Sequence, residues 1–287
     1  MIPAGIALLL ALGRDATPPI QVSTLPARPV RGTLAHVVVT ALDSVRPYVR
    51  ADGVLGEEPL HFVPAERGQF VALAGIPIEG AAKEPLRIWL ERADGSADTV
   101  SVSLSVSAGT YRSETLRVDP RMTRLDSADL ARLAREGARA RAVSLASHLT
   151  PRLWQPIWLR PRPGRVTSVF GTKRVFNGVQ RSRHMGTDFA GAVGAPVVAP
   201  NRGVVVLVDD FLLAGRVLYL DHGAGLVTGF FHLSEVAVAV GDTVEAGVRI
   251  GAVGNSGRVT GPHLHWIARY GAVNVDPMSI FAVSGER

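Results

Sequence analysis

The 287-residue sequence contains no cysteine, which removes disulfides, thiolate metal ligands and cysteine nucleophiles from consideration. Lysine is nearly missing as well: Lys83 and Lys173 are the only two, so almost all of the positive charge is arginine. Aromatic residues make up 6%, and no basic stripe is interleaved with them, so nucleic acid is not the expected partner. No apolar run reaches the roughly 20 residues that a membrane-crossing helix takes.

What remains is ordinary for a globular chain: 47% hydrophobic and 20% charged residues, with a length that suits two domains. The net charge of +6 and a sequence pI near 10.4 fit anionic surroundings such as a cell-wall polymer or a membrane surface. The start reads "MIPAGIALLLALGRDA". Its apolar stretch, residues 2–12, resembles the hydrophobic region of a secretory signal, though a basic lead is missing. Residues 1–16 are therefore read as a possible signal segment, and the chain as exported to the cell envelope, periplasm or wall.

A mainly β protein is expected. Over residues 20–120, "TVSVSLSV" alternates Val100, Val102, Leu104 and Val106 with polar residues, which is the period of a half-buried strand. Short apolar runs at 36–40, 69–76 and 86–90 add strands, and Asp94-Gly95 signals a hairpin. This pattern suggests a β-sandwich-like domain. His36 and His61 stand alone in it and read as structural. Residues 121–162 read as a helix followed by a proline-rich linker. Asp126 or Ser127 can cap a helix running to about His148, with Leu130, Leu133 and Ala134 on one face. Trp154 and Trp158, in "PRLWQPIWLRPRPG", are expected to pack against the domain that follows. Residues 163–287, rich in valine and glycine, read as a twisted antiparallel sheet without helices.

The last domain gathers the chemistry. "HMGTDFAG" sets His184 and Asp188 four apart; in an extended segment they share a face, with Gly186 leaving space between them. "GFFHLS" supplies His232, and "GPHLHW" places His263 and His265 on one face of a strand. His222, between turn glycines in "LDHGAG", reads as a structural loop residue. Imidazole nitrogens with one carboxylate suit Zn²⁺, and three protein ligands with an open fourth position mark a catalytic site. Two further histidines then suit proton transfer or oxyanion binding.

The run from "RVTSVFGTKRVFNG" through "HMGTDFAG" and "GFFHLSEV" to "GNSGRVTGPHLHW", residues 163–278, resembles the lysostaphin/LytM-type zinc metallopeptidases that cut peptidoglycan peptides. The resemblance implies that His184, Asp188 and His265 hold the zinc and that His232 and His263 are the catalytic, non-ligating pair. Phe230 and Trp266-Ile267 depart from the commoner family residues without removing a ligand. The alternative is a catalytically silent wall-binding or hydrolase-activating protein of the same fold. A third reading, from hairpins that resemble lipoyl or biotinyl carriers, fails because neither lysine lies in them. Residues 20–120 are expected to position or cover the cleft rather than supply catalytic groups.

Overall fold

Short strands rich in buried apolar side chains build the first half of the chain into antiparallel sheets. A computed structural model describes residues 8–9, 20–41, 43, 46–117, 125–178 and 180–284. The backbone divides into two units, Met1–Gly109 and Thr110–Arg287. In the first, Leu8–Leu9, Ile20–Leu25, Leu34–Ala41, Gln69–Gly75 and Val63–Ala65 form one sheet in that order. Glu58–Leu60, Tyr48–Leu55, Lys83–Arg92 and Ala97–Ser105 form the other. Along Lys83–Arg92, Leu86, Ile88 and Leu90 are buried while Arg87, Trp89 and Glu91 face outward. The Asp94-Gly95 turn does join two paired strands: Gly95 has φ 82°, and the Asp94 carboxylate accepts from the Ser96 amide at 2.8 Å. Of the segment read as an export signal, only Leu8 and Leu9 are described; the rest of residues 1–16 lies outside the described residues.

In the second unit the helix Ser127–Ala146 is capped by Asp126, whose side chain accepts from the Asp129 amide. Its buried face differs from the expected one. Leu130 is 56% exposed, whereas Glu136, Ala140 and Ser144 are buried. The reason lies across the contact: both Glu136 carboxylate oxygens accept from the Leu212 amide, at 2.9 and 3.1 Å. Ala140 is small enough to let the helix approach the apolar cluster of Leu207, Phe211, Val217, Tyr219, Val227 and Ile267. The helix end is fixed by Asp221, which accepts from Ser147 Oγ and Thr150 Oγ1.

The proline-rich stretch that follows is strapped to the same unit. Leu153 N donates to His222 O at 2.8 Å, Leu159 N to Pro200 O at 2.9 Å, and Asn201 bridges Gln155 and Ile157. Trp158 is buried, edge-on to His222 at 4.9 Å. His222 itself lies on the strand Gly215–Gly223, fully buried, rather than in a loop.

The main sheet has ten strands. Its path runs Val166–Ser168, Thr187–Ala190, His263–Tyr270, Leu226–Val236, Gly215–Gly223, Gly203–Phe211, Thr243–Val244, with every pair antiparallel. A smaller sheet joins Ser113–Leu116, Lys173–Phe176 and Gln180–Arg183. The expectation of no helix beyond Gly164 is corrected at Ser279–Val283. There Asp276 starts the turn, accepting from the Met278 and Ser279 amides, and Ile280 is buried. Among the described residues no helix is long and apolar enough to cross a membrane.

Burial of His222 makes stability depend on pH with a definite sign. Its Nδ1–H donates to Arg202 O and its Nε2 accepts from Thr228 Oγ1, both at 2.8 Å. Burial pushes its pKa down to about 4, so the fold holds it neutral while the unfolded chain protonates it near 6.5. The unfolded state thus binds the extra proton between those values, and stability is full above about pH 6.5 and lost as pH falls toward 4. Denaturant midpoints of metal-free His222→Gln should fall less steeply over that window, by up to about 1.4 kcal/mol per pH unit. An unchanged slope would show that His222 is not neutral in the fold.

Candidate metal centre

Strand pairing brings the predicted residues together. Thr187–Ala190 pairs with His263–Tyr270 so that Asp188 stands opposite His265 and Ala190 opposite His263. On the other side of that strand, Phe231 stands opposite His265, its ring 5.2 Å from the imidazole. His263 and His265 do share one face, while Leu264 and Trp266 between and beyond them are buried on the other. His184 lies outside the strand, in the turn before it. Its amide donates to Thr172 O at 2.8 Å and its carbonyl accepts from Gly171 N at 2.7 Å.

Three ligating atoms converge. His184 Nε2 lies 2.9 Å from Asp188 Oδ1 and 2.9 Å from His265 Nδ1, and His265 Nδ1 lies 2.7 Å from Asp188 Oδ1. A triangle of that size leaves a point about 2.0–2.2 Å from all three atoms, the distance at which nitrogen and carboxylate oxygen hold Zn²⁺. His184 Nδ1 faces the Val169 carbonyl at 3.0 Å, which only accepts, so Nδ1 donates there and Nε2 is the nitrogen turned to the carboxylate. Two imidazole nitrogens and one carboxylate oxygen are the donor types that suit Zn²⁺. The donor set therefore fits a metal ion.

The electrostatics agree with that fit. Burial acts to raise the Asp188 pKa, but the His184 and His265 rings against it hold the carboxyl far below the usual range, so it is ionised. His265 is pushed down to about 4, by burial first, and is neutral. Two more imidazoles stand beside the cluster. His263 Nε2 is 3.7 Å from Asp188 Oδ1, too far for a hydrogen bond, and its Nδ1 donates to Gly261 O at 2.8 Å. The His232 ring is 4.9 Å from that of His263, and its Nδ1 donates to Ser256 O at 2.8 Å. Burial, then the neighbouring His265 and His263, push His232 down to about 3. Each ring therefore keeps its Nδ1 on the main chain and leaves Nε2 as the nitrogen not held by it.

The structure adds residues that the sequence did not single out. Arg174 Nη2 donates to Asp188 Oδ2 at 3.0 Å and to Ser168 Oγ at 2.9 Å. Arg174, Met185, Phe231 and Arg258 line the cleft over the cluster with the histidines. A lone arginine among so many carries no pattern that spacing could pick out. The space expected at Gly186 is taken: a Cβ there would sit 2.5 Å from Trp266 O and 2.7 Å from His265 Cε1.

Residues 182–277 match the profile of Peptidase family M23. Over 103 residues the chain is 43% identical to Peptidoglycan DD-endopeptidase ShyA of Vibrio cholerae, covering 36% of this chain and 24% of that one. It is 39% identical over 97 residues to the DD-carboxypeptidase/endopeptidase Mpg of Neisseria meningitidis, covering 34% and 22%. The chain thus spans about a quarter of the length of these curated relatives. A crystal structure from Pseudomonas aeruginosa assigned to peptidase M23 superposes with a TM-score of 0.66 at 28% identity, over 89% of this chain and 96% of that one.

The close approach at Gly186 can be tested directly. Gly186→Ala sets its Cβ against the Trp266 main-chain oxygen and the His265 ring, so the ring should shift, and zinc added to the metal-free protein should bind about tenfold or more weakly than to the natural chain. Calorimetric titration of the metal-free protein measures it; unchanged affinity would mean that the ring is not held there.

Proposed function

Residues 182–277 being a domain of Peptidase family M23, we propose that the chain is a zinc-dependent endopeptidase that hydrolyses peptide crosslinks or stems of bacterial peptidoglycan. The observation that carries the reading is the convergence of His184, Asp188 and His265 with two further imidazoles, His232 and His263, beside them. His184 Nε2, Asp188 Oδ1 and His265 Nδ1 are the atoms that would hold the zinc. Bound there, the ion supplies Lewis acidity toward a scissile carbonyl and its attacking water.

The chain's own residues do the rest. Because Nδ1 of His232 and of His263 is committed to a backbone carbonyl, each ring can take a proton only at Nε2. One such nitrogen takes the proton of the attacking water. Once protonated, an Nε2–H can hold the developing oxyanion or pass its proton to the departing amine. Action on an envelope polymer accords with the net charge of +6, which draws the protein toward an anionic wall. It accords too with the wall-acting names of the relatives. Export to the envelope, and a separate sandwich domain over residues 20–120 that positions or covers the cleft, belong to the same proposal. The silent, wall-binding alternative has no lost ligand to favour it, since all five positions are filled.

Digestion of purified peptidoglycan, with products identified by mass spectrometry, tests the reaction; an undigested polymer in the presence of zinc argues for the silent alternative. Chelation should abolish hydrolysis and added zinc should restore it. Three variants separate the roles. His265→Ala should lose zinc and activity together. His263→Ala and His232→Ala should keep near-normal zinc while losing at least about a hundredfold in rate, the lower range for a general acid–base group. If His263→Ala sheds its zinc and His265→Ala keeps it, the pair is assigned the wrong way round.

A further inference from the structure

Arg174, Glu114 and Ser168 all lie outside residues 182–277, the part of the chain that matches the family profile, yet they reach the metal cluster. Arg174 sits on the strand Lys173–Phe176. Its Nε donates to Glu114 Oε1 at 2.7 Å, and its Nη2 to Asp188 Oδ2 at 3.0 Å and Ser168 Oγ at 2.9 Å. Ser168 Oγ in turn lies 3.3 Å from His184 Nδ1. One guanidinium therefore touches one of the three candidate ligands, Asp188, directly and borders a second, His184, through a hydroxyl.

We propose that Arg174 is a positioning residue for the zinc site and that Glu114 makes it tolerable there. This rests on the reading of His184, Asp188 and His265 as ligands. The rigid fork of donors fixes Oδ2 of Asp188, and with it the carboxylate plane, so that Oδ1 is the oxygen turned to the two imidazoles. A ligand free to rotate would have to be ordered each time the ion binds; a clamped one is ordered beforehand. The objection is electrostatic, since a guanidinium near a metal ion repels it. Glu114 answers it. Its carboxylate is closer to Arg174 than Asp188 is, at 2.7 against 3.0 Å, so the metal faces a nearly neutral pair that still supplies directed N–H groups. Glu114 is brought into place because Ser113–Leu116 runs parallel to Lys173–Phe176 with Glu114 opposite Arg174. The strand that enters the second unit thus tunes its metal centre.

The test uses the full chain, stripped of metal and titrated with zinc in a metal buffer, beside melting of the metal-free form and turnover of peptidoglycan. Arg174→Met should weaken zinc binding by about 10–100-fold, the usual effect of removing a group that orients a ligand, with the metal-free melting point nearly unchanged. Arg174→Lys, which keeps the charge without the fork, should recover part of that affinity. Glu114→Gln should weaken zinc binding in the same direction by less, because it leaves the guanidinium charge unbalanced. Zinc affinity in Arg174→Met within twofold of the natural chain, or higher, overturns the inference. So does a loss that tracks a collapse of the metal-free melting point and is not rescued by lysine. If Arg174→Met fails to fold, Glu114→Gln decides alone: unchanged or tighter zinc binding overturns the balancing role. A natural chain that holds no zinc would instead overturn the reading of the site, and this inference with it.

Discussion

Asp188 and His265 stand directly opposite each other on neighbouring antiparallel strands, and the rest of the site is arranged around that one pairing. Side chains alternate along a strand with period two, so a slip of a single residue would turn Asp188 away from His265 and send Leu264 into the cleft. The register is held from both sides. Leu264, Trp266 and Phe189 are fully buried behind the strands, and exposing them would cost on the order of 1.5–3 kcal/mol apiece. On the far edge, the pairing of Phe231 with His265 fixes the same strand against Leu226–Val236. A hydrophobic layer thus sets which polar atoms meet.

That layer also sets the site's electrostatic tension. Asp188 has a side chain only 7% exposed and is nonetheless ionised, because two imidazoles and a guanidinium surround it. Uncompensated, a buried carboxylate would instead pick up a proton. The same convergence of two imidazole nitrogens and a carboxylate oxygen is what a divalent cation would use, and the burial that makes the metal-free cluster costly is what would make it hold an ion tightly.

Much of this was legible in the residues, for identifiable reasons. Sheet periodicity is local, so the strand of Val100, Val102 and Leu104 and the shared face of His263 and His265 could be read directly. Joining Asp188 to His265 could not be read from spacing, since 77 residues separate them and only the sheet register brings them together; family resemblance supplied it. The helix face was misjudged because two of its three buried residues, Glu136 and Ser144, are polar, and Glu136 is satisfied by a distant amide, that of Leu212. A five-residue helix at Ser279–Val283 is too short to show a 3.6-residue period at all. Arg174 left no trace because its meaning comes wholly from its three partners.

His232, proposed above as a proton carrier, shows how the fold holds a side chain in a costly place. Its φ of 61° puts a non-glycine residue in the left-handed region, at a break in the pairing between Gly215–Gly223 and Leu226–Val236. Such a conformation costs on the order of 1–3 kcal/mol and persists only where its surroundings over-determine it. Here they do. The His232 amide donates to Ala214 O at 2.9 Å, and its ring donates to Ser256 O at 2.8 Å. Ser256 is itself tied down on two sides, its Oγ accepting from Arg216 N and donating to Leu233 O, each at 3.0 Å. A bulge re-aims a side chain that regular pairing would have pointed elsewhere. Its ring is then fixed by the main chain, as are those of His184 and His263, whose Nδ1 atoms also donate to backbone carbonyls. Anchoring three imidazoles to main-chain oxygens fixes which way each ring turns, so that the Nδ1 edge faces the backbone and the Nε2 edge faces the neighbouring side chains.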